Sequence, residues 1–231
     1  TYHVKIIRIP KSLHVSHISI LKFKSSHAGF AYYSAIFNGN AVFIKISTKY
    51  FFLNNEKIFY DIFKEDLSLI KVISLSKHQD IQILMSDFSN EKELTKEDIL
   101  DNPDILLQIF DILKIIHNKG CIHRDVRLCN FLISDNKVRI IDFTFSTCLD
   151  YSERFNDLLI DSKQEANILK NLGGIFKPNT FIWNDFYSID LVLHKLLSED
   201  MSIKKRLKVI KYQELFRKDN LQFNYSLSSG H

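Results

Sequence analysis

A helix stop, a polar loop and a tight hairpin that ends on an acid follow one another between Asn118 and Asp142. Asn118-Lys-Gly120 closes an apolar-faced helix, because Gly takes the left-handed conformation that ends the last turn. His123-Arg-Asp-Val-Arg-Leu-Cys-Asn130 comes next. Two strand-like runs, Phe131-Leu-Ile and Lys137-Val-Arg-Ile-Ile, then meet at the turn residues Ser134-Asp-Asn, and the second run delivers Asp142-Phe-Thr144. This stretch carries the carboxylates Asp125 and Asp142, with the amide of Asn130 between them.

The chain on either side changes character. Three short strands are expected in the first third: Ile18-Ser-Ile-Leu-Lys-Phe-Lys24, Phe30–Phe37 and Ala41–Ser47. The last two are joined by Asn38-Gly-Asn, a strong hairpin signal. A helix is expected over 55–64 with Ile58, Phe59, Ile62 and Phe63 on one face, then strands at 71–76 and 81–86. Beyond that the pattern turns helical. Positions 106, 109, 110, 113 and 116 share a face over 103–117, with Asn102 and Pro103 at its start, and helices resume over 183–198 and 201–217. A β-rich first third and a helical remainder describe an α+β chain, divided at 1–86 and 87–231.

His-Arg-Asp, Asn130 and the hairpin-borne Asp-Phe together resemble the catalytic core of the protein-kinase-like superfamily. The resemblance implies a two-lobed fold, with a small antiparallel β-rich N-lobe and a mainly helical C-lobe. It implies ATP and Mg²⁺ as cofactors, Asp125 as the catalytic base, and Asn130 and Asp142 as metal ligands. Ala41-Val-Phe-Ile-Lys45 resembles the strand that carries the phosphate-positioning Lys. Glu56 is expected as the partner of Lys45, with Glu65 as the fallback. Met85, where the hinge falls, is expected beside the adenine. Trp183-Asn-Asp185-Phe resembles the helix start that braces the catalytic loop, with Asp185 as the structural acid. His123 is expected to be a packed scaffold residue.

The chain also departs from that pattern. Of the glycine-rich loop only Gly29 remains, in Ser25-Ser-His-Ala-Gly29. Asp-Phe-Gly has become Asp142-Phe-Thr144, which removes the φ > 0 freedom of Gly and implies a fixed metal Asp. Lys177-Pro-Asn179 is at most an echo of Ala-Pro-Glu, which argues against a peptide-docking platform. Arg127, as in Asp-Leu-Arg-Ala-Ala-Asn kinases, is expected to stabilise charge on the transferring phosphoryl group.

These losses, with Asn130-Phe-Leu-Ile, Val138-Arg-Ile-Ile-Asp142 and a basic C-terminal helix, resemble bacterial lipopolysaccharide core heptose kinases. That likeness implies lipopolysaccharide biosynthesis and a glycan or glycolipid acceptor. Arg124 belongs instead to protein kinases, where it answers a phosphorylated activation loop, here Thr144, Ser146 or Thr147. A protein Ser/Thr/Tyr acceptor is therefore the second reading, and a pseudokinase scaffold the third. Residues 203–212, with Lys204, Lys205, Arg206, Lys208 and Lys211 around Ile203, Leu207 and Ile210, form a candidate contact for an anionic membrane surface.

Composition sets the outer bounds. Nineteen Phe and nine Tyr imply a packed interior, and a net charge of +4 does not suggest a nucleic-acid partner. No long apolar run implies a membrane span, and Thr1-Tyr-His-Val-Lys lacks the layout of a secretory signal. Cys121, Cys129 and Cys148 show no paired spacing. They are expected as unbridged thiols in a reducing cytoplasm, where the basic C-terminal helix allows a peripheral place at the inner face of the membrane.

Overall fold

The computed structural model describes residues 9–23, 30–48, 50–87, 91–148 and 185–220. Gly29 with the rest of its loop, Lys177-Pro-Asn179, Trp183 and the tail from Ser226 lie outside them. Two compact units are formed, Thr1–Asn90 and Glu91–His231.

The first unit is an antiparallel sheet. Its strands are β1 (Ser16–Phe23), β2 (Phe30–Phe37), β3 (Asn40–Ser47), β4 (Val72–His78) and β5 (Ile81–Asp87), in the order β1-β2-β3-β5-β4. β2 and β3 stay in register to Phe37↔Asn40, and the connecting Asn38 and Gly39 both take positive φ (50° and 78°). A two-residue hairpin needs that pair of conformations, which explains Asn-Gly here. Helix α1 (Tyr50–Phe63) begins earlier than the expected position 55 and packs on β3, β4 and β5.

The two-residue period of the strands sorts their side chains. Ala31, Tyr33, Ala35, Val42, Ile44, Ile46, Ile83 and Met85 form a buried cluster on one face, covered by Ile9, Leu13 and Val15. Lys45 alternates to the other face of β3, opposite Leu84 of β5. Met85 is thus part of the sheet core and does not share the face of Lys45, contrary to the adenine-side position expected of it. At the other edge, β1 is irregular. Its register shifts twice against β2, and Ile18, Ile20 and Leu21 remain exposed.

The second unit runs β6 (Lys92–Glu93), α2 (Lys96–Asp101), α3 (Ile105–Asn118), β7 (Cys121–Ile122), β8 (Phe131–Ser134), β9 (Lys137–Ile140), β10 (Thr147–Cys148), α4 (Asp185–Leu196) and α5 (Ile203–Asn220). α2 was not foreseen, although its capping box is written in Thr95-Lys-Glu-Asp98: Thr95 accepts from the Asp98 N–H, and Asp98 accepts from the Thr95 N–H. α3 buries all five residues of its expected face, and Gly120 (φ 69°) follows its end. Phe110 of α3, Phe186 of α4 and Phe216 of α5 meet with ring centroids 5.4–5.7 Å apart, joining the three helices.

α5 buries Val209, Tyr212 and Phe216, so Ile203, Leu207 and Ile210 face outward, 78%, 62% and 36% exposed. Its bases are partly occupied. Arg206 donates to the Leu197 and Glu199 carbonyls that end α4, and Lys208 pairs with Asp104 at 2.6 Å. Tyr212 donates to the same Asp104, which with burial pushes its phenol up to about 12.

β7 and β10 place Cys121 directly opposite Cys148, and the two form a disulfide that leaves Cys129 as a thiol. This corrects the expectation of unbridged thiols. The partners lie 27 residues apart, and only the pairing of two short strands brings them together. No helix among the described residues is long and apolar enough to cross a membrane.

Candidate active site

In the first unit Lys45 meets Glu56. The ammonium lies 2.7 Å from Oε2, with both side chains under 5% exposed. The strand period points Lys45 toward α1, and Glu56 sits in the second turn of that helix. Two desolvated charges at this distance persist only as a pair. Lys45 Nζ also lies 4.7 Å from the Phe30 ring and 5.9 Å from Tyr32, so aromatic faces add to its hold. Glu65 is exposed beyond the end of α1 and is excluded as the partner.

In the second unit the loop between β7 and β8 is buried polar structure. His123, Arg124, Asp125 and Asn130 are each less than 5% exposed. Asn130 Nδ2 donates to the Asp125 carbonyl and to Asp125 Oδ2, both at 2.8 Å. Arg127 Nη2 lies 3.4 Å from the same Oδ2. Oδ1 of Asp125 is buried and has no hydrogen-bond partner among the described residues. Burial pushes the Asp125 carboxyl above the ordinary range; Arg127 opposes this, and the charge of Asp142 adds to it. A carboxylate with a raised pKa, one oxygen anchored and the other unsatisfied, is equipped to take a proton.

His123 is a scaffold residue. Its Nδ1 accepts from the Asp125 N–H at 3.3 Å, and its Nε2 donates to the Ile141 carbonyl at 3.1 Å, so it links the loop to the end of β9. The Ile141 N–H in turn donates to the Asn130 carbonyl at 2.9 Å. The strand end that carries Asp142 is thereby tied to both His123 and Asn130.

Asp142 opens a one-turn 3-10 helix, Phe143–Phe145, in the left-handed conformation (φ 66°, ψ 61°). Its Oδ1 accepts from the Thr144 hydroxyl at 2.5 Å. The residues fit a hard divalent cation. Asn130 spends its amide nitrogen on Asp125, so its oxygen, which has a long 3.9 Å contact from Cys129 Sγ, is the end left to coordinate. An amide oxygen and a carboxylate, completed by phosphate and water, are the donors Mg²⁺ takes. Thr144 and Ser146, expected as phosphorylation acceptors, are buried. The Ser146 hydroxyl donates to the His123 carbonyl, and the Arg124 Nε donates to the Phe145 carbonyl at 2.6 Å.

Asp185, at the start of α4, braces the loop from beneath. One oxygen accepts from the Arg124 N–H at 3.0 Å; the other accepts from the His123 N–H at 2.8 Å and from His117 Nε2 at 3.0 Å. Burial alone would raise the Asp185 carboxyl. The His117 bond, the charges and the backbone donor outweigh it and hold the pKa below the ordinary range. His117 is the residue that sequence reasoning missed. It lies on the buried face of α3 and carried no motif, and only its distance to Asp185 reveals it.

A protein-family model described as "Protein kinase domain" matches residues 53–228. A putative serine/threonine-protein kinase of Acanthamoeba polyphaga mimivirus is 30% identical over 115 residues, 48% of this chain and 39% of that protein. A probable serine/threonine-protein kinase of Dictyostelium discoideum is 30% identical over 121 residues, 52% of this chain and 23% of that protein. A CDPK-related protein kinase of Daucus carota is 28% identical over 110 residues, 46% and 17% respectively. The matched part of the chain thus spans less than half the length of these curated relatives.

Proposed function

The chain belongs to the protein kinase domain family, and from that premise we propose that it transfers the γ-phosphate of ATP to a serine or threonine hydroxyl of a protein. The environment of Asp125 carries the reading: raised pKa, one oxygen held by Asn130, the other buried with no partner among the described residues. The acceptor oxygen forms the new bond to the γ-phosphorus, the bond to the β–γ bridging oxygen breaks, and the hydroxyl proton passes to Asp125. ADP leaves with the bridging oxygen. Lys45, held by Glu56, supplies the cation for the nucleotide phosphates. Asn130 and Asp142 would hold Mg²⁺, which when bound offsets the negative charge of the phosphates. Arg127, beside Asp125, supplies a second cation for the transferring group.

Two of the relatives above are named serine/threonine-protein kinases, which supports a protein acceptor ahead of the glycan expected first from the sequence. The retained Lys45–Glu56 pair and the Asp125–Asn130 bonds support an enzyme over a scaffold. The outward stripe of Ile203, Leu207 and Ile210, flanked by Lys204 and Lys211, supports a peripheral contact with an anionic surface as a separate property of α5.

The acceptor class is tested by incubating the chain and its Asp125→Asn variant with labelled Mg-ATP, a degenerate Ser/Thr peptide pool and dephosphorylated envelope glycolipid. Asp125-dependent label on peptide hydroxyls supports the proposal. Label confined to glycolipid restores the glycan acceptor, and ATP binding without transfer to either leaves a scaffold.

A further inference from the structure

Where related kinases carry Asp-Phe-Gly, this chain carries Thr144, and the local geometry shows what the exchange does. Thr144 is not among the residues with positive φ; the left-handed residue of the turn is Asp142. The backbone at position 144 therefore does not need glycine, and a β-branched side chain is tolerated. Asp142 itself pays about 1–2 kcal/mol for that conformation, so neighbours must hold it there.

Thr144 is such a neighbour. It is 1% exposed, between Phe143 and Phe145, which are themselves buried. The Ser146 N–H closes the turn onto the Phe143 carbonyl at 3.1 Å. A β-branched side chain locked in this packing has little χ1 freedom, so the hydroxyl has a fixed direction. That direction is Oδ1 of Asp142, at 2.5 Å, within the range of a charge-assisted O–H···O⁻ bond. Ser146, the next hydroxyl, is committed to the His123 carbonyl.

We propose that Thr144 is a positioning residue: its hydroxyl sets the rotamer of the Asp142 carboxylate for the metal–nucleotide complex. The chain replaces a glycine that lets this turn move with a threonine that ties the carboxylate to its own turn. The inference rests on the kinase reading only in taking Asp142 as a metal ligand.

The test measures metal binding rather than turnover. The full chain, with a non-hydrolysable ATP analogue, is titrated with Mn²⁺ and free Mn²⁺ is read by electron paramagnetic resonance, for the parent, Thr144→Ala and Thr144→Ser. Loss of one hydrogen bond to a charged group weakens Mn²⁺ binding by roughly tenfold in Thr144→Ala. Thr144→Ser, which keeps the hydroxyl, stays within about twofold on the same grounds. Thermal melting accompanies each variant; should Thr144→Ala fail to fold, Thr144→Val, which keeps the shape without the hydroxyl, takes its place with the same expectation. Parent-like Mn²⁺ binding by the hydroxyl-free variant overturns the role of Thr144, as does a loss in Thr144→Ser equal to that in Thr144→Ala. A parent chain that binds no Mn²⁺ with nucleotide overturns the kinase reading itself.

Discussion

Asn130 spends one amide nitrogen on two oxygens of Asp125, the backbone carbonyl and Oδ2, at 2.8 Å each. The geometry fixes the carboxylate and turns the amide oxygen away from it, so one side chain both orients the proposed base and leaves an oxygen for a cation. Asn130→Asp keeps an oxygen for metal but removes the N–H donor and sets a second anion beside Asp125. Transfer is expected to fall by about 100-fold or more, on the scale of a misplaced general base. The steady-state rate at saturating ATP checks this.

The role proposed for Asp125 carries a cost to stability. Its pKa is raised in the fold, so the folded state binds the proton more tightly than the unfolded chain does. Stability therefore falls as pH rises from the unfolded carboxylate range through the raised folded value, and at neutral pH the ionised group weighs against folding. Asp125→Asn removes that charge and keeps an oxygen toward Asn130. Its melting temperature at pH 7 should equal or exceed the parent's. A clear drop would mean that Asp125 stabilises the loop.

Asp185 has the opposite sign. Its folded pKa is depressed, so its contribution is present above the unfolded value of about 3.9 and is lost as pH falls through the lower folded value. Asp185→Asn takes the anionic acceptor from all three donors, His117, His123 and Arg124, and turns an N–H₂ toward at least one of them. The expected result is a lower melting temperature at neutral pH and a shallower loss of stability below pH ~4, read from thermal melts over that range.

The Lys45–Glu56 pair is buried on both sides, so removing one partner strands the other. Lys45→Met should destabilise the first unit by about 3–5 kcal/mol, and Lys45→Met with Glu56→Leu should recover most of that. Nucleotide affinity should return in neither. Denaturant unfolding with and without ATP separates the two effects.

Much of this was legible before any coordinates. The strand periods, the Asn38-Gly39 hairpin and the face of α3 rest on local rules of alternation, turn chemistry and capping, whereas the bracing position of Asp185 came from the likeness of its helix start to that of kinases. What escaped notice depended on partners distant in sequence. Cys121 and Cys148 show no spacing signal, because their pairing is created by two strands of two residues each. His117 reads as one more residue on a buried helical face until Asp185 is beside it. Met85 failed for a different reason. Its place along the chain suggested the adenine side, but the two-residue period of β5 sends it to the face opposite Lys45. The sequence pulled two ways on the acceptor, the heptose-kinase likeness toward a glycan and Arg124 toward a protein, because the proposed site residues bear on transfer chemistry and not on the shape of the acceptor.

The disulfide has its own check. Alkylation of the denatured, unreduced chain should label Cys129 alone, and all three cysteines after reduction. Equal labelling of Cys121 and Cys148 before reduction would show the pair to be thiols.

The central claim is that Asp125 takes the proton of a serine or threonine hydroxyl. Single-turnover transfer from ATP to a Ser/Thr peptide pool, at equal ATP occupancy of the parent and Asp125→Asn, tests it most directly. The account requires phosphoserine or phosphothreonine from the parent, and a rate lower by about 100-fold or more in the variant. Equal rates in the two proteins would contradict it.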